Sequence, residues 1–273
     1  MALTKVLVTV KTYPTLSAKY DELVCTAGFR EDGTWIRIYP VPFRKKAYSE
    51  QYRKYDWIEV DLVKNEGDFR PESYRPAAID TEIKVIGHID TAGNWEDRKR
   101  YCLGKIHYNL SELIAEAHNK QICTSLAVYK PAKVLDFYAE STEGEWDKNK
   151  LDKIIAARSQ IRLFEDLASD FEAVKKVPYK FKFLFTDNQG KESRMMIEDW
   201  ETGQLYWNCL ARHEGNEKKA IADVKKKYFD DFARTKDLHF FLGTTRSHHY
   251  TSRNPFMIIG TFHPKIELQG RLF

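Results

Sequence analysis

Trp35, Arg37 and Tyr39 stand two residues apart in the stretch Gly33 to Arg44, GTWIRIYPVPFR. On a strand, residues at that spacing share one face. An aromatic, a guanidinium and an aromatic in a row make a platform for unpaired bases, because bases stack on rings and on Arg planes while the cation meets phosphate. Ile36 and Ile38 then point the other way, into a core. The plainer alternative is that a second layer covers Trp35 and Tyr39 while a carboxylate pairs with Arg37, since strand aromatics are mostly packing residues. Asp32-Gly33 marks a turn before this strand, and Pro40 and Pro42 are expected to stop the sheet after it. Arg44 and Lys45 follow at once and open a basic, aromatic run that reaches Tyr55.

A second constellation is Gly243 to His249, GTTRSHH. Thr244, Thr245, Arg246 and His248 offer hydroxyls and cations, and with the amides of a turn they suit a phosphate. No helix pattern stands behind it, so the signal is weaker than a P-loop, and an exposed polar loop is the alternative. His248 and His249 are neighbours, so on a strand they face opposite ways and would not chelate one metal.

A third set is Glu198, Asp199 and Glu201. Converging carboxylates are what a metal-dependent nuclease needs, but acids at a helix start have the same spacing. His88, His107, His118 and His213 are scattered, and no GxSxG, HExxH, GxGxxG or Walker pattern occurs. Cys25 has no evident His partner for nucleophilic work. No cofactor and no metal site is therefore expected. The lysines of the segment 217–234 lie mostly off its apolar stripe, which is the pattern of a solvated helix face.

The last residues, Gln269-Gly270-Arg271-Leu272-Phe273, resemble the short peptides by which bacterial DNA-processing proteins dock on the sliding clamp. Gln269 suits a pocket rim, and Leu272 and Phe273 suit an apolar pocket. Docking of a hydrophobic end onto the protein's own body is the alternative. A similar run, Gln160 to Phe164, falls inside a helical pattern and is discounted.

Strand patterns cover 3–10, 22–29, 33–44, 56–64, 82–89 and 125–137. Helical patterns follow Asn94, a capping residue with Asp97 three positions on, and Ser111. The acidic, polar stretch from Glu140 to Asn149 reads as a boundary, giving one half over 1–145 and another over 146–273. The second half carries a long helix over 150–175, strands at 179–186 and 192–199, helices at 202–212 and 217–234, and closing strands at 238–243 and 256–262. The fold class expected is α+β, with two small β-barrel-like halves of the OB kind bearing helical insertions. Spacing alone leaves other small barrels open for the first half.

Composition narrows the classes further. The chain has 273 residues, 42% hydrophobic, 14% aromatic and 31% charged, with a net charge of +4. Disorder is excluded by the rings, and the mild basicity permits a nucleic-acid partner without requiring one. Four cysteines lie far apart, no CxxC pair occurs, and the start MALTKVLVTV runs straight into a strand pattern. With no apolar run of membrane length, a cytoplasmic protein is expected.

Seven segments carry a family resemblance: Thr9–Tyr20, Val24–Phe29, Trp35–Arg44, Asp68–Pro76 (DFRPESYRP), Asp199–Cys209 (DWETGQLYWNC), and Leu238–Thr245 with Asn254–Phe262. They are similar to an uncharacterised bacterial family described as having dual OB-fold domains and associated with phage defence or DNA metabolism. The resemblance spans nearly the whole chain and implies nucleic-acid binding rather than a reaction. The expected activity is binding of single-stranded or otherwise unpaired DNA or RNA. The alternatives are a metal-dependent nuclease around Asp199 and Glu201, and an adaptor in a multi-protein defence complex.

Overall fold

The computed structural model describes residues 3–17, 21–149, 151–152, 154, 156 and 174–267. The first half is built from β1 (Leu3–Lys11), β2 (Thr15–Ser17), β3 (Asp21–Phe29), β4 (Trp35–Val41), β5 (Asp56–Lys64), β6 (Ser73–Pro76) and β7 (Ile83–His88). Five of these strands close a ring. β1 pairs antiparallel with β3, β3 with β4, β4 in parallel with β6, β6 with β5, and β5 back with β1. Numbered along the ring strands alone, the order is 1-2-3-5-4-1. Register shifts at Val8/Val10 and Val24/Thr26 bend the strands enough for closure. At Gly28 the chain passes so close to β1 that a Cβ would sit 2.0 Å from the Leu7 carbonyl oxygen, which is why no side chain is tolerated there. β7 extends the sheet outside the ring by pairing with β5.

Pro40 does not stop β4. The strand runs on to Val41, and its pairing jumps from Ile38↔Thr26 to Val41↔Val24. That shift spares the ladder the N–H that proline lacks. Asn94 does not cap a regular helix either. Gly93, Asn94 and Trp95 form a left-handed turn inside α1 (Ala92–Cys102), and the Asn94 amide bonds both the N–H and the C=O of Lys265.

β8 (Ile106–His107) and α2 (Leu110–His118) lead into a second ring of the same order. Its first strand is split into β9 (Leu126–Tyr129) and β10 (Lys133–Ser141). It continues through β11 (Tyr179–Thr186), β12 (Glu192–Met196), β13 (His239–Thr244) and β14 (Phe256–Phe262). β10 pairs with β11, β11 with β12, β14 with β13, and β13 with β9. The remaining gap, between the third and fifth strands, is spanned by the parallel bridge Ile197↔Ile258. Residues 126–141 thus belong to the second ring, ahead of the acidic stretch where the second half was expected to begin.

Between the third and fourth strands of the second ring lie α3 (Trp200–Arg212) and α4 (Glu217–Lys225), followed by a π-helical stretch over Lys226–Ala233. Asp199 and Asn216 cap the two α-helices with their side chains. Of the stripe Ile221, Val224, Tyr228 and Phe232, the last three are buried and Ile221 is half-buried. Most of the long helical pattern at 150–175 lies outside the described residues.

Three apolar cores result. Val6, Val8, Ile36, Ile38, Ile58 and Val60 fill the first ring. Phe137, Phe181, Phe183, Phe185, Phe240 and Ile258 fill the second. The third lies between the rings and takes residues from both: Leu7, Val10, Phe29, Leu126, Val128, Phe241 and Phe262. β1 and β4 are therefore buried on both faces, one turned into their own barrel and the other onto its neighbour.

Candidate functional site

The alternation of β4 places Ile36 and Ile38 in the first barrel's core and sends Trp35, Arg37 and Tyr39 to the other face, as the spacing requires. That face meets the second barrel, so most of it is not an open platform. Trp35 packs on Phe29 (ring centroids 4.0 Å apart) and on Phe241 (5.7 Å). Arg37 is buried, 3.2 Å from Glu72 Oε1, and it donates to Ser125 Oγ at 2.8 Å and to the Ser125 carbonyl at 3.1 Å. The base-stacking role expected for Arg37 is overturned, because its donors are spent across the seam. Tyr39 is exposed, at 37%, and Trp35 is half-buried.

A second arginine does similar work. Arg70 forms paired bonds to Asp68 and reaches across to the Thr244 carbonyl, while Ser73 Oγ donates to Asp68 at 2.7 Å. The segment DFRPESYRP is thus a clamp: Asp68, Arg70, Glu72 and Ser73 all hold one barrel to the other or brace a residue that does.

Beyond the clamp the barrels part around a cleft of about 730 Å³, within the usual range of ligand pockets. Arg37, Tyr39, Thr244, Thr245 and Arg246 line it, together with Phe69, Arg70, Glu198, Met257 and Ile259. Two stretches more than 200 positions apart in sequence, the β4 face and GTTRSHH, therefore meet at one site. Arg246 is exposed, has no hydrogen bond or ion pair among the described residues, and lies beside the Gly67 backbone of the opposite barrel. At the cleft's edge Phe69 and Tyr250 stack face to face, centroids 4.9 Å apart and planes 24° apart. Both rings remain exposed, at 48% and 39%.

The loop that carries Arg246 is anchored from beneath. His249 is buried, and its Nε2–H donates to the Ala117 carbonyl at 2.8 Å. Its Nδ1 must then be the acceptor for the Thr244 hydroxyl, also at 2.8 Å. Burial pushes the imidazole pKa down, which keeps that neutral tautomer. His248 is exposed, so the two histidines do face opposite ways. Thr245 Oγ1 is buried without a partner.

Arg44 and Lys45 are elsewhere. They sit on the short 3₁₀ turn after β4, where Arg44 pairs with Glu22 at 2.8 Å, and neither lines the cleft. Of the acids proposed for a nuclease, Asp199 and Glu201 converge on an ammonium rather than on an open cation position, while Glu198 lines the cleft. Lys54 Nζ lies 2.8 Å from Asp199 Oδ2 and 3.0 Å from Glu201 Oε2. Lys11 completes that group, 4.1 Å from the Phe43 ring centre and 4.8 Å from that of Trp200. Burial, then the Lys54 charge, pushes the Lys11 pKa down to about 8. The carboxylate pair is a cross-barrel strut, which corrects the reading of these acids as a metal centre. Gln269, Leu272 and Phe273 lie outside the described residues.

Sequence reasoning missed Phe69, Arg70 and Tyr250. Their signal was weak: a single ring in a charge-rich loop, and another next to two histidines. Among the described residues no helix is long and apolar enough to cross a membrane.

No curated protein matches this sequence. Two family models match side by side, meeting just after the first barrel and α1. Residues 2–104 match the domain of unknown function DUF8758. Residues 107–273, more than half of the chain and the whole of the second ring, match the domain of unknown function DUF8757, and the chain belongs to that family.

Proposed function

We propose that the protein binds unpaired DNA or RNA in the cleft between its two barrels. The observation that carries this reading is the exposed Phe69–Tyr250 stack beside Arg246, whose guanidinium has no carboxylate partner among the described residues. Rings with a free face take bases of any sequence, and a cation next to them takes the phosphate that follows. Tyr39 extends the surface along the cleft. A duplex suits the arrangement poorly, because a paired base has no free face to offer a single ring pair.

The ring order of both barrels supports the same reading, since small barrels of this kind commonly bind oligonucleotides. The resemblance to a family associated with phage defence or DNA metabolism is compatible with such an activity. The free cysteines, three of them buried, accord with a reducing cytoplasm. Fluorescence anisotropy with labelled 12-nucleotide single strands and the matching duplexes, in DNA and in RNA, tests the proposal. Single strands are expected to bind more tightly, with affinity falling as salt rises. Equal binding of duplex, or none of either, overturns it.

A further inference from the structure

Among the described residues, Glu198 is the one acid lining the cleft. Its position is set by the second ring's closure, where its own N–H donates to the Ile258 carbonyl at 2.8 Å. The backbone is therefore fixed, and the side chain stands at the junction of the main cleft with a smaller pocket of about 200 Å³ that it also lines. Among the described residues its carboxyl has no hydrogen bond and no ion pair, although the charge of Lys180, across the smaller pocket, acts on it. Every other buried or half-buried acid of the seam is engaged: Asp68 by Arg70, Glu72 by Arg37, and Asp199 by Lys54. Glu198 is half-buried, so its unpaired carboxyl stands open to a ligand that supplies a partner.

A negative carboxyl in a site for a polyanion cannot be there for phosphate. It repels phosphate, so its use must lie with the bases. A carboxylate accepts two parallel hydrogen bonds. Among the common bases only guanine presents two adjacent donors on one edge, its ring N1–H and its exocyclic amino group. Adenine and cytosine place a ring-nitrogen acceptor beside their amino group, and thymine and uracil flank their single N–H with carbonyls, so each sets an acceptor against the carboxylate.

We infer that the cleft prefers a guanine base, read through Glu198, over the other bases of a single strand. This rests on the proposed binding of unpaired nucleic acid and adds base choice to it. Burial raises the Glu198 pKa, and two donors from a bound base restore the ionised form.

The test uses the full chain and four labelled oligomers: (dT)12, and the same strand with one central thymidine replaced by deoxyguanosine, deoxyinosine or deoxyadenosine. Anisotropy titrations are expected to show the guanosine strand binding about tenfold or more tightly than (dT)12, as a good bidentate contact discriminates. The inosine strand, which lacks the amino group, falls between them, and the adenosine strand gains nothing. Glu198→Gln brings the guanosine-to-thymidine ratio near one, and Glu198→Asp lowers it only in part. Equal affinity for all four strands with clear binding overturns the base preference and leaves single-strand binding standing. An unchanged ratio in Glu198→Gln overturns the role of Glu198. Absence of binding to every strand overturns both. The panel on the unmodified protein decides the preference even where a variant folds poorly.

Discussion

Arg37 of the first barrel and Ser125 of the second are joined by two hydrogen bonds, from one guanidinium to a hydroxyl and to a carbonyl, at 2.8 and 3.1 Å. Ser125 Oγ in turn donates to Glu72, which also takes the Arg37 charge. A cation, an anion and a hydroxyl thus satisfy one another between two barrels. Removing one partner leaves a buried charge alone. Arg37→Met is therefore expected to cost about 3–5 kcal/mol in urea unfolding, and Arg37→Met with Glu72→Met to recover most of it. A single variant as stable as the wild type would show that Arg37 is not a clamp.

The exposed pair behaves differently. Phe69→Ala and Tyr250→Ala are each expected to weaken single-strand binding by about 1–3 kcal/mol. Arg246→Ala should weaken it as well and flatten the logarithmic salt dependence by about 0.7, the share of one phosphate contact on a single strand. Unfolding midpoints should move less than for the buried clamp residues, since all three side chains are exposed. Retention of full affinity by all three variants would place binding elsewhere.

Acid should loosen the clamp through Asp68. Burial pushes its carboxyl up, but the hydrogen bonds from Arg70 and Ser73 and the Arg70 charge outweigh that and hold the pKa at about 2. The ordinary value is about 3.9. A folded pKa below the unfolded one means stability that is present above about pH 4 and lost as the pH falls through 2. The stability advantage of the wild type over Asp68→Asn should shrink by about 2 kcal/mol between pH 5 and pH 2. A difference that stays constant over that range would argue against the linkage.

Lys54 separates a strut from a metal centre. Lys54→Met leaves Asp199 buried with its cation gone, and a loss of about 3–5 kcal/mol is expected. Millimolar Mg²⁺ should leave the wild-type melting temperature unchanged, because Lys54 already occupies the space between the two carboxylates. A rise of several degrees with Mg²⁺ would return the acids to metal binding.

Gly203 of α3 faces Tyr13 of the first barrel. A Cβ there would lie 2.3 Å from two ring carbons, and that ring is held by the Trp207 Nε1–H bond to its hydroxyl at 2.9 Å. Gly203→Ala should destabilise by about 1–3 kcal/mol, the usual cost of overpacking. Tyr13→Leu combined with it should cost less than the sum of the two single changes. Strict additivity in chemical unfolding would refute the contact.

The local signals carried most of the elements. Alternation fixed Ile36 and Ile38 inside and Trp35, Arg37 and Tyr39 outside, because a strand's two-residue period leaves no other choice. Helical spacing marked Val224, Tyr228 and Phe232, and Asn216 capped its helix as its side chain allows. What alternation cannot say is what the outward face meets. Whether Arg37 touches a base or Ser125 depends on residues 88 positions apart in sequence, and no local period encodes that distance. The same limit applies to Asp199, which has the spacing of a metal ligand and the partner of a strut, Lys54, brought from the other barrel. The cleft itself belongs wholly to the tertiary level. Tyr39, Phe69, Glu198 and Arg246 become one surface only because two barrels of the same strand order pack side by side, and a cavity between two bodies exists in neither sequence half alone.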